Sequence, residues 1–125
     1  MILLDTSVLI EAFASDGATR EQLRSTIENG HRVVISTLVL YEWLRGRRTP
    51  AELKAQEALF PGDQTIPFGP LESATAAELY RKVRKPRGRE IDLAIAACAI
   101  TWNSSLWTLN PEDFQDVPGV ALWSG

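Results

Sequence analysis

The feature that most constrains the fold is a regular alternation of short apolar runs with longer helix-favouring segments. The apolar runs contain β-branched residues and have the length of short strands; they span residues 2–4, 32–36, 64–67, 106–108 and 120–122. The helix-favouring segments span residues 8–13, 19–29, 37–45, 50–60, 71–83 and 89–102. Strands that alternate with helices form parallel β/α units with right-handed crossovers. The sequence therefore predicts an α/β fold, a three-layer α/β/α sandwich around a central, mainly parallel sheet of four to five short strands.

Length and composition indicate an ordinary globular domain. The 125 residues suit one domain, 1–125, and 45% hydrophobic with 23% charged residues is usual for a soluble protein. The single cysteine, Cys98, allows no internal disulfide and lies in an apolar run, which suits a reducing compartment. The N-terminal segment has an acid at its fifth position and no basic lead, so we expect neither a signal peptide nor a membrane span, and a cytoplasmic location.

Four acids stand where a parallel sheet would place a ligand site. In open parallel sheets, ligands bind beyond the carboxyl ends of the strands. Asp5 directly follows the first predicted strand, and Glu42 lies in the helix after the second. Asp92 falls in the first turn of segment 89–102. Asn110-Pro111, an N-cap followed by a proline at the first helical position, predicts a further helix start that leaves Asp113 in its first turn. We therefore expect the four carboxylates to converge on one edge of the sheet.

Each acid also has a purely structural interpretation, which the residues alone leave open. Asp5 or a neighbouring hydroxyl can cap the helix that follows it. Glu42 can pair with Arg45, three residues further along the same helix. An acid in a first turn, such as Asp92 or Asp113, is favoured by the helix dipole without any ligand.

The basic residues are segregated, although the net charge is only −3. Of the 13 Lys and Arg, three lie in 45–48 and six in 81–89, whereas 90–125 contains none. Both clusters adjoin helices that carry predicted site acids, so they are candidates for holding phosphates, the alternative being solvated helix ends. The candidates are Arg45, Arg47, Arg48, Lys82, Arg84, Lys85, Arg87 and Arg89.

Four segments, in order along the chain, resemble the acidic motifs of PIN-domain ribonucleases, and most of all those of the VapC toxins of toxin-antitoxin pairs. The segments are LLDTSVLIE, STLVLYEWLRG, REIDLAIAACAI and LWTLNPEDF. The resemblance implies that Asp5, Glu42, Asp92 and Asp113 form a catalytic, metal-binding quartet. It also implies that Ser7 and Asn110 steady the first and last acids, and that Glu90 and Asp116 are candidate auxiliary ligands.

The donor chemistry agrees with the resemblance. Oxygen-only ligands suit Mg²⁺ or Mn²⁺, whereas a single Cys and the lone His31 argue against zinc and against cleavage by a histidine pair. The chain is thus expected to be a Mg²⁺-dependent endoribonuclease that uses metal-activated water. Its alternative is a non-catalytic PIN-like module that binds a cation, nucleic acid or a basic peptide. A receiver-type domain is disfavoured because no Lys or Arg follows Arg89.

The partners are implied by the resemblance alone. They are an RNA substrate, a cognate antitoxin in a type II system, and a second copy of the chain in a homodimer. Tyr41, Trp43 and Leu44 flank Glu42 and have two interpretations. They either belong to the core, which is the usual place of large apolar residues, or line a groove for an antitoxin segment.

Overall fold

The computed structural model of the protein describes residues 1–15 and 17–125, and a parallel sheet lies at its centre. Within these residues the strands are β1 (Ile2–Leu4), β2 (Val33–Val34) and β3 (Ser105–Trp107). The sheet order is β2-β1-β3, and both pairings are parallel. Ile2 lies opposite Val33 on one side and Ser105 on the other. The first strand of the chain is therefore the central one.

The two outer runs predicted as strands contribute only one bridging residue each. Ile66 pairs with Ser36 beyond β2, and Leu122 pairs with Leu106 beside β3. Pro67 follows Ile66 directly, and a proline cannot donate a ladder hydrogen bond, so this edge stops early. The described sheet thus has three strands rather than four to five, while the predicted parallel α/β architecture is confirmed.

Six α-helices surround the sheet in the described residues. They are α1 (Thr6–Ala14), α2 (Thr19–Glu28), α3 (Thr37–Arg45), α4 (Pro50–Leu59), α5 (Pro70–Lys82) and α6 (Glu90–Thr101). Two 3₁₀ turns, Gly62–Gln64 and Pro111–Asp113, lie in the connections. Local signals fix several starts, since the Ser36 hydroxyl accepts from the Val39 N–H and Thr49 forms a capping box with Glu52.

Helix α6 is the most deeply buried helix among those described. Every residue from 93 to 99 is buried, so the helix is apolar on all sides. It packs against α5, α3 and β3, whereas α1 packs against α2, α3, α4 and β1. Cys98 lies within the buried stretch, and burial, with a smaller contribution from the charge of Glu72, raises the pKa of its thiol to about 12.

A buried acid locks α5 to α6. Glu72 accepts the Gly69 N–H at the start of α5 and the Thr101 hydroxyl at the end of α6, both at 3.0 Å. The hydrogen bonds, led by those of the backbone, lower the pKa of Glu72 despite its burial. These hydrogen bonds of Glu72 hold α6 at the end opposite to Asp92.

None of the described helices combines the length and the apolarity that crossing a bilayer requires.

Candidate active site

Asp5 directly follows β1, and two hydroxyl groups fix the orientation of its carboxylate. Asp5 is only 6% exposed, and its Oδ2 accepts hydrogen bonds from Ser7 Oγ at 2.9 Å and from Thr108 Oγ1 at 2.7 Å. Its backbone stands at the N-cap of α1, yet the side chain makes no cap hydrogen bond. The side chain of Asp5 therefore does not cap α1, and its hydrogen bonds go to the hydroxyls of Ser7 and Thr108 instead.

Glu42 reaches from the middle of α3 towards Asp5. Its side chain is 17% exposed. One carboxylate oxygen accepts the hydroxyl of Thr6, the neighbour of Asp5, and the other lies 3.2 Å from Nη2 of Arg45. The pair of Glu42 with Arg45 that the sequence predicts is present, but Glu42 also has a second partner, Thr6. Thr6 draws the carboxylate to the end of β1.

Asp92 is the third residue of α6 and is half-buried. A first-turn position would by itself lower the pKa of a carboxyl group. Instead the pKa of Asp92 is raised to about 6, first by burial and then by repulsion from Asp5, Asp113 and Glu42, with Arg89 opposing the rise. Asp92 therefore lies near enough to each of the other three carboxylates for their charges to affect its pKa.

Asp113 closes the short turn that follows β3. It is exposed, and its N–H donates to the carbonyl of Asn110 at 3.0 Å. The side chain of Asn110 makes no cap hydrogen bond, while its backbone N–H donates to Thr108 Oγ1 at 3.0 Å. Ser7 Oγ accepts the N–H of Leu109 at 3.1 Å. The segment that carries Asp113 is therefore attached to the end of β1 by the same hydroxyls that hold Asp5.

Arg89 joins the start of α6 to the segment after Asp113. Its Nη1 lies 2.9 Å from one oxygen of Asp116 and its Nη2 2.6 Å from the other, while Nη2 also donates to the Asp113 carbonyl at 3.0 Å. This bidentate hydrogen bonding lowers the pKa of Asp116. Arg89 and Asp116 were predicted as a phosphate contact and an auxiliary ligand, and the structure pairs them with each other. Glu90, the other auxiliary candidate, is exposed at the first position of α6.

The remaining basic candidates divide into two groups. Arg45 pairs with Glu42, Lys82 with Glu78 at 2.7 Å, and Arg48 lies 4.1 Å above the ring of Trp43. The other four are exposed; they are Arg47, Arg84, Lys85 and Arg87.

Two threonines that carry the site were not singled out from the sequence. Thr6 was considered only as a possible cap, and Thr108 only as a strand end. Their positions in the sequence could have indicated this role. Thr6 lies just after β1 and Thr108 just after β3, and these two strands are neighbours in the sheet. That neighbourhood becomes visible only when the sheet order is known.

The donor set has the chemistry of a hard divalent cation site. The four acids offer only carboxylate oxygens, which Mg²⁺ and Mn²⁺ prefer. In residues 1–15 and 17–125, however, no three His, Cys, Asp or Glu side chains converge in ligating geometry. Glu42 explains part of this, because its two oxygens are turned to Thr6 and Arg45.

Comparison with known proteins decides the family. The PIN-domain family profile matches residues 2–120. Ribonuclease VapC19 of Mycobacterium tuberculosis is 32% identical over 122 residues, which cover 96% of this chain and 97% of the relative. This chain is a VapC-type PIN domain. The predicted family resemblance is confirmed.

Solved structures show the same PIN fold. VapBC2 from Rickettsia felis, bound to a DNA fragment from its promoter, superposes with a TM-score of 0.76 at 21% identity and covers 98% of each chain. DNA-bound VapBC from Salmonella typhimurium gives a TM-score of 0.74 at 22% identity, covering 98% of this PIN domain and 96% of its own chain. The fold is therefore shared across nearly the whole length.

Proposed function

We propose that this PIN domain is a Mg²⁺- or Mn²⁺-dependent endoribonuclease, the toxin of a type II toxin-antitoxin system, with residues 1–125 acting as one nuclease domain. The observation that carries the proposal is that hydroxyls at the end of β1 and β3 hold Asp5, Glu42 and the segment of Asp113 at one edge of the sheet. Asp92 lies near enough for the charges of these three acids to help raise its pKa. Acids this near to one another, offset only in part by Arg45 beside Glu42 and by Arg89, suit a multivalent cation that would draw them together. The relative from M. tuberculosis, named a ribonuclease, supports RNA as the substrate.

Asp5, Glu42, Asp92 and Asp113 would hold the cation. Bound to them, the ion would supply a lowered pKa for a water nucleophile and charge stabilisation at the scissile phosphate. The chain keeps the acids in place before any ligand binds. Ser7 and Thr108 fix the orientation of Asp5, and the buried length of α6 fixes the position of Asp92.

The exposed basic residues have the role of gripping the RNA backbone. Arg47 follows α3, and Arg84, Lys85 and Arg87 precede α6, so each lies on a connection to a helix that carries a site acid. Their attraction for phosphates is independent of sequence and weakens with salt. The four engaged basic residues have structural partners and are assigned a smaller part.

The deciding test uses the purified protein with labelled structured RNA and with single-stranded DNA, each with and without Mg²⁺. Cleavage of RNA that requires the metal is the expected result. Binding of RNA or of the cation without cleavage in either condition would instead favour the non-catalytic PIN-like module. Cleavage that persists in EDTA would contradict the metal mechanism.

An apolar groove supports a cognate antitoxin as partner. It has a volume of about 600 Å³ between α1, α2 and α4. Its apolar lining is Ala12, Phe13, Leu23, Ile27, Ala51, Ala55 and Leu59, and its charged lining is Arg20, Arg24, Glu28 and Glu52. Such a groove suits the apolar face of a helical segment. Solved relatives are described as a toxin-antitoxin complex from Klebsiella pneumoniae and as VapBC assemblies. Trp43 does not line a groove, because it is wholly buried in the core.

We expect Ala55→Glu to weaken antitoxin binding at least about 30-fold, since it replaces a methyl group of the groove lining with a long, charged side chain that an apolar helix face must desolvate or avoid. Ala55 is exposed, so the fold should persist. The measurement is calorimetric titration with the product of an adjacent small reading frame. Ala58→Glu, on the same helix but outside the groove lining, is the matched control. Equal affinities of the two variants would rule out this groove.

Exposed apolar side chains on α3 support a homodimer. Tyr41 is 56% and Leu44 53% exposed, although both lie beside the buried Trp43. A second copy would cover them.

An RNA-cleaving toxin acts where RNA is present, so we propose the cytoplasm as its location.

We expect Arg89→Lys to lower metal-dependent cleavage about tenfold, because lysine keeps the charge but cannot hold both oxygens of Asp116 and the Asp113 carbonyl together. The apparent Mg²⁺ affinity, read from a titration of cleavage rate, should fall in parallel. Arg87→Lys, at an exposed neighbouring position, serves as control. If both variants behave alike, Arg89 has no part in placing Asp113.

A further inference from the structure

A second cavity, which the proposed reaction does not use, lies beside the hydroxyl that supports Asp5. It measures about 540 Å³, within the range of small-ligand sites. One wall comes from α2, and the other from the end of β3 and the segment around Trp123. Thr108 belongs to this wall and also donates to Asp5 Oδ2 at 2.7 Å. The cavity therefore adjoins the acids.

Three aromatic rings line the cavity. They belong to His31, Trp107 and Trp123. The rings of His31 and Trp123 meet edge to face, with centroids 4.9 Å apart at 66°. The backbone N–H of Trp123 donates to the Leu106 carbonyl at 2.7 Å, which ties the residue to the sheet. Trp123 is thus held in place before binding, and a preorganised indole face is a suitable platform for a nucleobase.

The polar lining distinguishes a base from a phosphate. Gln22 and Asn29 contribute side-chain amides, which can both donate and accept as the edge of a base does. None of the described lining residues is Lys or Arg, and Glu21 adds a negative charge. Arg24, outside the lining, lies 3.7 Å from Glu21 and pairs with it. The described lining thus offers a phosphate no cation, whereas an uncharged base needs none.

We propose that this cavity receives one unpaired nucleobase of the RNA strand, next to the phosphodiester that lies at the acids, and that it contributes to the choice of cleavage site. Trp123 is the stacking residue, and Gln22 and Asn29 read the base edge. The inference rests on the proposed function, because it takes the bound strand to be the substrate. It assigns a subsite to residues outside the acid quartet.

The test measures binding and cleavage separately. Affinity for a fluorescent single-stranded RNA of mixed sequence is measured by anisotropy in EDTA, where the metal-dependent reaction cannot proceed. Cut positions are then mapped by sequencing the products of a random RNA pool in Mg²⁺. The variants are Trp123→Ala, Trp123→Phe and the double variant Gln22→Ala/Asn29→Ala. Trp102→Ala, an exposed tryptophan at the far end of α6, is the matched control.

Loss of stacking should weaken RNA binding by Trp123→Ala about 5- to 100-fold. Trp123→Phe should stay within about threefold of wild type, and Trp102→Ala should match it. The double variant should alter the base preference at one position beside the cut, which keeps the test open should Trp123→Ala fail to fold. Unchanged affinity in Trp123→Ala together with unchanged cut positions in the double variant overturns the subsite. Trp123-dependent binding by a protein that cleaves no RNA would contradict the nuclease proposal and leave the base site standing.

Discussion

Asp92→Asn is expected to lower metal-dependent RNA cleavage by at least about 100-fold and, at the same time, to make the metal-free protein more stable. The loss follows from removing one of four carboxylates that would hold the cation. The gain follows from removing a charge that burial and three neighbouring acids oppose. A residue that lowers stability while serving function is typical of an active site.

The sign of the stability effect comes from the direction of the pKa shift. The pKa of Asp92 rises from its ordinary 3.8 to about 6 on folding, so the folded state binds the proton more tightly. Stability therefore falls as the pH rises from about 4 to about 6, and the loss is complete above that. The full shift corresponds to about 3 kcal/mol. Because Asp92 is only half-buried, we expect about 1–2 kcal/mol, or roughly 4–8 °C in Tm.

Thermal unfolding at pH 7.5 and pH 4 measures this effect. In EDTA, Asp92→Asn should melt above wild type at pH 7.5, and the difference should shrink at pH 4. Mg²⁺ should raise the Tm of wild type more than that of the variant, since the ion offsets the repulsion. Asp63→Asn, an exposed acid in the turn after α4, should leave both stability and cleavage unchanged. A variant less stable than wild type in EDTA would contradict the repulsion, and full cleavage would remove Asp92 from the site.

Trp43→Ala is expected to have the largest effect on stability, about 3–5 kcal/mol. Trp43 is wholly buried, its ring meets Phe13 edge to face at 6.1 Å, and the Arg48 guanidinium lies 4.1 Å from its centroid. Its removal would open a cavity beneath α3, the helix that carries Glu42. With 5–15 kcal/mol usual for a whole domain, the variant would be marginally folded.

Trp43→Phe separates two contributions of Trp43 to stability, the volume of its ring and the unpaired polar N–H group. Within the described residues, Nε1 of Trp43 is buried with no hydrogen-bond partner. Phenylalanine keeps an aromatic ring and removes that unpaired donor, so the expected cost is only about 1 kcal/mol. Urea unfolding gives both values, with Tyr80→Phe, an exposed aromatic residue of α5, as the control. A Trp43→Ala variant within 1 kcal/mol of wild type would show that the core closes around the gap.

The helices were predictable because their signals are local. Ser36, the Thr49/Glu52 pair and Pro70 mark helix starts within a few residues, and the Ala-rich run after Asp92 favours helix without reference to the rest of the chain. The outer strands were overestimated since strand length depends on a neighbour. A short β-branched run such as that before Pro67 does not show how many of its residues will pair with a neighbouring strand.

The site was predictable in its types of residue but not in their pairing. Strand ends and helix starts identified where acids such as Asp5 would stand. The contact of Thr108 with Asp5 spans 103 positions, and that of Arg89 with Asp116 spans 27, so neither has a local pattern. The two sides of α3 were equally hidden, because apolar residues surround Glu42 and only the packed structure shows that Trp43 faces inward while Tyr41 faces outward.

The buried thiol of Cys98 gives the molecule an internal reporter. Its high pKa and complete burial keep it from reacting while α6 is closed. Any thiol-reactive label must therefore wait for this helix to open, and the labelling rate measures how often it does. The same opening moves Asp92, six residues earlier on the helix. The labelling rate of Cys98 therefore also reports how long Asp92 stays in its place beside the other acids.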